Sequence, residues 1–216
     1  VFHIELIFLL AIFRSIIKLF GGTVMITYEI NDALYINLTN RCTNNCSFCV
    51  RNHPESFGFD LWLRKEPILE EIMADLENLE LYNEVVFCGY GEPLVRYREV
   101  IEICRHIKQK GVRTRINTNG QANLIWNRNI APELIGLVDS ISISLNAKNA
   151  EDYAELCRPE YGKAAYGAVL DFAKECIKYI PEVWLTVVDV ISAYDIEVCR
   201  GMAEGIGAGF RVRHYC

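Results

Sequence analysis

The chain has 216 residues, of which 51% are hydrophobic and 11% aromatic, and it carries a formal net charge of −6 at pH 7. A chain of this length and hydrophobic content can bury one substantial core, which excludes an intrinsically disordered protein. Its negative charge means that no overall basic field draws it to nucleic acid or to an anionic membrane.

Residues 1–24 are an apolar N-terminal extension, ahead of a core domain that we place at residues 25–216. The longest uncharged run in the extension, Leu6–Phe13, is much shorter than the about 20 residues that a membrane-spanning helix needs. The basic residues follow this run, whereas a secretory signal carries them ahead of it. We therefore expect no membrane span. The extension is either a peripheral helix or non-native sequence upstream of a start at Met25.

From Ala33 onward, short apolar runs that end in Gly, Pro or Asn alternate with amphipathic stretches. The short runs predict strands, and apolar positions that recur about every 3.6 residues predict helices. Strands are predicted over residues 33–38, 84–88, 112–117, 138–145, 183–191 and 209–215. Helices are predicted over residues 66–81, 97–110, 121–135 (whole or broken), 149–156, 165–180 and 194–206.

This alternation predicts parallel strands joined by right-handed crossovers. The predicted fold is α/β, a partial (β/α)6 barrel of parallel strands whose sixth unit lacks its helix. An open doubly wound sheet is the alternative, because periodicity does not distinguish the two. In both folds the active site lies at the C-terminal ends of the strands.

Three cysteines, Cys42, Cys46 and Cys49, follow the first predicted strand at the spacing Cys-x3-Cys-x2-Cys. A loop can turn such closely spaced thiolates toward one metal centre. An iron–sulfur cluster usually takes four protein thiolates, so a set of three would leave one iron open. Zinc is the alternative, because His53 would complete a Cys3His site.

The other six cysteines are scattered through the chain, so the nine do not form a disulfide framework. Two of them, Cys88 and Cys216, fall at strand ends near the expected site. Free thiols favour a reducing compartment, and we expect a cytoplasmic protein.

Polar and glycine-rich segments follow the next three predicted strands. They are Gly89-Tyr90-Gly91-Glu92-Pro93, Asn117-Thr118-Asn119-Gly120 and Ser144-Leu145-Asn146. Because the carboxyl ends of parallel strands meet at one edge of the sheet, these segments should converge with the cysteine loop. Together they predict a site for a metal centre and a polar small molecule.

The cysteine motif, with Phe48 before its third cysteine, matches the signature of the radical S-adenosylmethionine (SAM) superfamily, and Gly89–Pro93 resembles the glycine–glutamate motif of that family. The resemblance covers Leu34–Tyr215. It implies a [4Fe-4S] cluster on Cys42, Cys46 and Cys49, with SAM on the open iron. Reductive cleavage of SAM would then give a 5′-deoxyadenosyl radical that abstracts hydrogen from an unidentified substrate.

The resemblance also implies SAM contacts at the strand ends. Phe48 would lie near the adenine, and the segment containing Gly89, Gly91 and Glu92 would bind the methionine amino group. Contacts with the ribose or the methionine carboxylate are implied for Asn117, Asn119, Ser144 and Asn146. Val187 and Val188 could contact the adenine, although the usual glycine pattern is missing there.

Residues 33–41 and 89–93 together resemble the small TatD-associated radical SAM proteins, which implies association with a TatD-type hydrolase. Leu156–Pro159 and Val169–Lys174 resemble glycyl-radical-activating enzymes, which would act on a protein partner. In either case the resemblance implies an external one-electron reductant such as a flavodoxin or ferredoxin. RNA-methylating members share the second motif, but the negative charge argues against nucleic acid. A non-catalytic Cys3His zinc module is the remaining alternative.

Overall fold

The computed structural model of the chain describes residues 25–53, 58 and 60–215. The expectations for the extension at residues 1–24 and for Cys216 lie outside these residues. The strands are β1 (Thr27–Ile30), β2 (Ala33–Ile36), β3 (Glu84–Phe87), β4 (Arg113–Thr118), β5 (Ser140–Ser144), β6 (Glu182–Val188) and β7 (Gly209–Arg213). The α-helices are α1 (Leu69–Asp75), α2 (Tyr97–Gln109), α3 (Ala122–Ile125), α4 (Ala150–Cys157), α5 (Ala164–Ile177) and α6 (Ala193–Ile206).

All seven strands described belong to one sheet, and their order in the sheet is their order in the chain. Strands β2 to β7 pair in parallel. The six predicted parallel strands are thus confirmed. A doubly wound sheet reverses its strand order at a switch point, and this sheet has no reversal. The open doubly wound alternative is therefore wrong, and the sequential order agrees with the partial barrel.

Strand β1 was not predicted. It pairs antiparallel with β2, from Thr27 opposite Ile36 to Ile30 opposite Ala33, and extends the parallel sheet by one edge strand. The two strands are joined by Asn31 and Asp32, and Asn31 adopts a left-handed conformation with φ of 52°. Asn and Asp are the residues that tolerate this conformation in a two-residue hairpin turn.

One predicted helix is shorter than the sequence pattern suggested, and the segment predicted to be a whole or broken helix is broken. The helix predicted over residues 66–81 is α1 followed by a 3-10 turn at Leu79–Leu81, and Asn78 between them has a φ of 55°. The segment 121–135 is a broken helix, with α3 and a 3-10 turn at Ala131–Leu134. Helix α1 has already ended at Leu76, before Asn78, whereas α3 is followed closely by the left-handed Asn127 (φ of 49°), where the backbone can no longer continue the hydrogen-bond ladder.

The hydrophobic core lies between one face of the sheet and the helices. A row of paired residues that crosses five strands is buried there, namely Ile36, Phe87, Ile116, Ile141 and Val183. The other face carries more polar side chains, such as Asn117 and Ser142 in the neighbouring row, which also contains the aromatic Trp184. Because successive residues of a strand point to opposite faces, the sheet separates an apolar core from a polar inner face.

On the inner face, the Arg115 guanidinium lies 2.8 Å from the Glu84 carboxylate and 3.2 Å from the Tyr35 hydroxyl. This pairing compensates a charge that is largely shielded from solvent. Within the described ranges, no helix combines the length and the apolar run that crossing a membrane requires.

Candidate functional site

The cysteine loop starts just beyond β2 and is held by a segment that the sequence did not associate with it. The backbone N–H of Asn45 donates to the carbonyl of Cys157 at 3.0 Å, and that of Ser47 donates to the carbonyl of Leu156 at 3.0 Å. Farther along, the Glu160 N–H donates to the Thr43 carbonyl at 2.8 Å. The loop is thus fixed against the carboxyl end of α4 by hydrogen bonds on both sides of Cys46.

The thiols of Cys42, Cys46 and Cys49 are half-buried, and none of them is in a disulfide. Burial raises the pKa of Cys42 to about 12 and also raises that of Cys49, and the neighbouring Cys46 adds to both shifts. The pKa of Cys46 is raised as well, first by its interaction with the buried Cys157 thiol and then by burial. Within residues 25–53, 58 and 60–215, no three Cys, His, Asp or Glu side chains are close enough together to hold a metal ion.

The Gly89–Pro93 loop packs directly on the cysteine loop. A Cβ atom on Gly91 would lie 2.3 Å from the Thr39 carbonyl oxygen and 2.6 Å from that of Arg41. A Cβ on Gly89 would lie 2.1 Å from Oδ1 of Asn37. Both positions require glycine because the neighbouring atoms belong to backbone or to a buried side chain. The Glu92 N–H then donates to the Arg41 carbonyl at 2.8 Å and joins the two loops.

The side chain of Glu92 is buried and accepts hydrogen bonds from other residues of the protein. It is only 3% exposed, and its carboxylate accepts hydrogen bonds from the N–H groups of Leu94 at 3.0 Å and Asn119 at 2.6 Å and from the Thr118 hydroxyl at 2.8 Å. Burial raises the pKa of Glu92 to about 7 despite these three donors. The carboxylate therefore joins the loop after β3 to the end of β4.

Two asparagines at the end of β4 lie in different surroundings. Asn119 is buried and donates from Nδ2 to the Thr43 hydroxyl at 2.9 Å and to Cys42 Sγ at 3.8 Å. Asn117 lies on the inner face and accepts from the Arg115 guanidinium at 3.3 Å. The structure thus brings Asn119 to the cysteine loop and leaves Asn117 on the open polar face.

The remaining predicted residues also lie at the carboxyl ends of strands. Ser144 accepts a hydrogen bond from Arg213 at 3.2 Å. Asn146 is buried and donates to Cys157 Sγ at 3.7 Å, and no residue in the described part of the chain donates to its Oδ1 atom. Phe48 is half-buried and packs against the edge of the core. Of the two valines for which an adenine contact was suggested, Val187 and Val188, Val187 lies in the core between the sheet and the helices.

A buried polar cluster beneath the cysteine loop was missed in the sequence. Gln121 Nε2 donates to Asn44 Oδ1 at 2.6 Å and to the Tyr153 hydroxyl at 3.0 Å, and Asn44 Nδ2 donates to the same hydroxyl at 3.1 Å. These residues come from the cysteine loop, the end of β4 and α4. The cluster could not be predicted because no local sequence pattern links residues so far apart in the chain. The hint in the sequence was that Asn44 and Gln121 lie in or next to segments that follow strands.

A cavity of about 500 Å³ lies beside the cysteine loop. It is lined by Ser47 of that loop, by the segment after β5 and by the start of α6, and it includes Arg158 and Lys148. Lys148 is paired with Asp195 at 2.5 Å. Arg158 ends α4 in a left-handed conformation with φ of 46°.

Comparison with known proteins agrees with this arrangement. The family model of the radical SAM superfamily matches residues 36–195 of the chain. This range includes the cysteine loop and the carboxyl ends of strands β2 to β6. The chain belongs to the radical SAM superfamily. Radical SAM proteins bind a [4Fe-4S] cluster and SAM.

Two curated relatives illustrate the range of the similarity. The Pyrococcus furiosus tungsten-containing aldehyde ferredoxin oxidoreductase cofactor-modifying protein is 28% identical over 156 residues, which cover 69% of this chain and 39% of the relative. A Methanocaldococcus jannaschii protein, whose name proposes that it activates a glycyl-radical enzyme, is 28% identical over 141 residues, covering 63% of this chain and 53% of the relative. The chain thus spans about half or less of the length of each of these two relatives.

Solved structures show the same fold. The Streptococcus suis SuiB structure with bound S-adenosylmethionine matches with a TM-score of 0.60 at 18% identity, covering 84% of this chain and 38% of SuiB. At that identity the likeness concerns the fold of the radical SAM domain alone.

The residues of the site fit the radical SAM cofactors. Three thiols in one loop, none in a disulfide, are sulfur donors of the kind that iron–sulfur clusters require, although they do not lie close enough together to share a single metal ion. Gly89 and Gly91 leave room for the loops to meet, because a Cβ on either one would overlap its neighbours. Asn146 Oδ1, just beyond the end of β5, and Ser142 Oγ, in the middle of β5, are buried without hydrogen-bond partners among the described residues, and can accept from a polar ligand.

Proposed function

We propose that the chain is the catalytic core of a radical SAM enzyme that acts on an unidentified substrate. One observation carries this proposal. The loop with Cys42, Cys46 and Cys49 lies in contact with the Gly89–Pro93 loop at the carboxyl ends of the parallel strands. That edge of an α/β sheet is where ligands bind.

When bound, the cluster and SAM supply the reductive cleavage of SAM to methionine and a 5′-deoxyadenosyl radical, which abstracts hydrogen from a substrate. The chain's own residues hold and orient these groups. Cys42, Cys46 and Cys49 would be the cluster ligands, and each must lose its proton to bind iron. Because burial raises the pKa of Cys42 to about 12, cluster loading should release protons.

The other predicted contacts are part of the same proposal. Phe48 would lie near the adenine, and backbone around Gly91 and Glu92 would bind the methionine amino group. This backbone role agrees with a Glu92 carboxylate that is already used by Leu94, Thr118 and Asn119.

Anaerobic purification tests the proposal directly. The protein should be brown, contain iron and acid-labile sulfide, and release 5′-deoxyadenosine when it is given SAM and a strong reductant. Cys46→Ala should abolish this release, whereas Cys199→Ala, which changes a buried cysteine of α6, should preserve it. Release by Cys46→Ala at the wild-type rate would refute the ligand assignment.

The zinc alternative makes a different prediction from the same preparation. A colourless protein with one zinc ion, lost on His53→Ala substitution, would identify a Cys3His module. Under the radical SAM proposal, His53→Ala keeps its full iron content.

Activation of a glycyl-radical enzyme is a second candidate function. It is favoured by the resemblance of Leu156–Pro159 to such activating enzymes and by the hydrogen bonds of that segment to the cysteine loop. The experiment uses two deuterated substrate pools, glycine-labelled proteins and labelled small metabolites. Label from the protein pool in 5′-deoxyadenosine would support a protein partner, and label from the metabolite pool would support a small substrate.

Membership of the TatD-associated subgroup, and association with a TatD-type hydrolase, rest on the resemblance of residues 33–41 and 89–93. We further propose a flavodoxin or ferredoxin as the one-electron reductant. A nucleic-acid substrate is not part of the proposal, because the net charge is −6.

A further inference from the structure

The sulfur of Cys42 receives two hydrogen bonds from within the protein. The backbone N–H of Asn44 lies 3.4 Å from Cys42 Sγ, and the side-chain Nδ2 of Asn119 lies 3.8 Å from the same atom. The first donor belongs to the cysteine loop itself. The second comes from the end of β4 and is supplied by tertiary structure.

Every polar group of the Asn119 side chain is already engaged. Its Nδ2 donates to Thr43 Oγ1 at 2.9 Å as well as to Cys42, and its Oδ1 accepts from the Gln121 N–H at 3.0 Å. Its backbone N–H is held by the Glu92 carboxylate at 2.6 Å. The amide therefore has a fixed orientation, with its donor edge toward the cysteine loop.

A donor aimed at a ligand sulfur acts on the cluster that the sulfur binds. Reduction adds a negative charge to an iron–sulfur cluster, and an N–H donor to a ligand sulfur stabilises that charge. Donors of this kind therefore raise the reduction potential. A higher potential makes the cluster easier to reduce for a biological one-electron donor.

We propose that Asn119 is a positioning residue that orients the Cys42 sulfur and raises the reduction potential of the cluster. This inference rests on the proposed function. Asn119 would act on the cluster ligand Cys42, whereas the sequence motif suggested that Asn119 contacts SAM itself.

Two variants of the reconstituted full chain test the proposal by redox titration monitored by electron paramagnetic resonance. Asn119→Ala removes the donor, and Asn119→Asp keeps the shape and the acceptor for Gln121 while replacing the donor by an oxygen. Both should shift the midpoint potential to more negative values, Asn119→Asp the more strongly because it adds negative charge. The same substitutions at Asn123, in the next helix, are the matched controls and should leave the potential at the wild-type value.

A measurement on the unaltered protein covers the case in which the Asn119 variants fail to load a cluster. With asparagine labelled by ¹⁵N in its side-chain amide, the reduced wild-type cluster should show a weak ¹⁵N hyperfine coupling. Loss of that coupling in Asn123→Ala would contradict the assignment to Asn119.

The outcomes separate this inference from the proposed function. Wild-type protein that binds no iron and sulfide refutes the proposed function. A wild-type cluster without ¹⁵N coupling, or Asn119 variants whose potentials match the Asn123 controls, overturns the role of Asn119 alone.

Discussion

The carboxylate of Glu92 accepts a hydrogen bond of 2.6 Å from the backbone N–H of Asn119. This contact joins the glycine-rich loop after β3 to the end of β4, and both loops touch the cysteine loop. Glu92 is almost fully buried. A titratable group without access to solvent therefore lies where the three loops of the candidate site meet. Its ionisation should therefore be visible in the stability of the protein.

Glu92 should make the cluster-free protein less stable as the pH rises through neutrality. Burial raises the pKa of Glu92 from 4.5 to about 7, so the folded state holds a proton that the unfolded state has already lost. The stabilisation is complete below pH 4.5 and is lost as the pH rises through about 7. The difference across this range should be on the order of 3 kcal/mol.

Urea unfolding at pH 5 and pH 8 measures this effect. Glu92→Gln cannot ionise, so its stability relative to wild type should increase from pH 5 to pH 8. The exposed Glu80→Gln is the control for the loss of one carboxyl group. A constant difference between Glu92→Gln and wild type at the two pH values would contradict the prediction.

Gly91→Ala should separate the two loops. The new Cβ would lie 2.3 Å from the Thr39 carbonyl oxygen, and backbone atoms cannot move aside as a flexible side chain can. We expect a loss of about 1–3 kcal/mol in the free energy of unfolding, as for other overpacked sites. Iron content after reconstitution should fall as well, because the displaced segment carries the cysteines.

The matched control for this substitution is Gly205→Ala, in α6, where a Cβ meets no atom within 4 Å. A helical alanine should stabilise the protein by about 0.5–1 kcal/mol relative to glycine. Equal stabilities and iron contents for the two alanine variants would show that Gly91 can be replaced without harm.

The parallel sheet could be predicted because its strands carry a local signal. Ile141 and Ile143 alternate with serines in β5, and glycine or asparagine follows each of the strands that end at the site. Since parallel strands present their carboxyl ends at one edge, the position of the site followed from strand order alone. Strand β1 was missed because its pairing with β2 depends on a short turn at Asn31 rather than on a long apolar run.

The contacts within the site could not be predicted in the same way. The sequence identified Cys46 as a ligand and treated Cys157 as one scattered cysteine among six. Their thiol contact depends on hydrogen bonds between the cysteine loop and the end of α4, two segments without a shared pattern. The internal use of the Glu92 carboxylate was likewise hidden, because a motif identifies a residue type and not the direction of its side chain.

Tyr153→Phe should destabilise the cluster-free protein. The Tyr153 hydroxyl accepts from Gln121 at 3.0 Å and from Asn44 at 3.1 Å, and all three side chains are buried. Removing the hydroxyl leaves buried donors without this acceptor, which costs about 1–3 kcal/mol. Tyr194→Phe, at a position that is 72% exposed, should change the free energy of urea unfolding little. Comparable losses in the two variants would argue against the buried cluster.

Cys157→Ala should make Cys46 more reactive in the cluster-free protein. The interaction with the Cys157 thiol is the largest cause of the raised pKa of Cys46, and burial is the second. Thiolates react with iodoacetamide and thiols do not, so removing Cys157 should raise the thiolate fraction and the rate of alkylation. While the pH stays below the pKa, the thiolate fraction should increase about tenfold for each unit by which the pKa falls, and the rate somewhat less because a less basic thiolate is a weaker nucleophile.

Mass spectrometry of the Cys46 peptide over a time course at pH 8 measures the rate of alkylation at that residue. Cys199→Ala removes an equally buried cysteine from α6, away from the loop, and should leave the rate at Cys46 unchanged. Because global unfolding would expose all thiols together, alkylation of Cys176, buried in α5, reports whether the fold is intact. Faster alkylation at Cys46 with a slow Cys176 would support the thiol contact, and an unchanged rate at Cys46 would mean that burial alone protects this ligand.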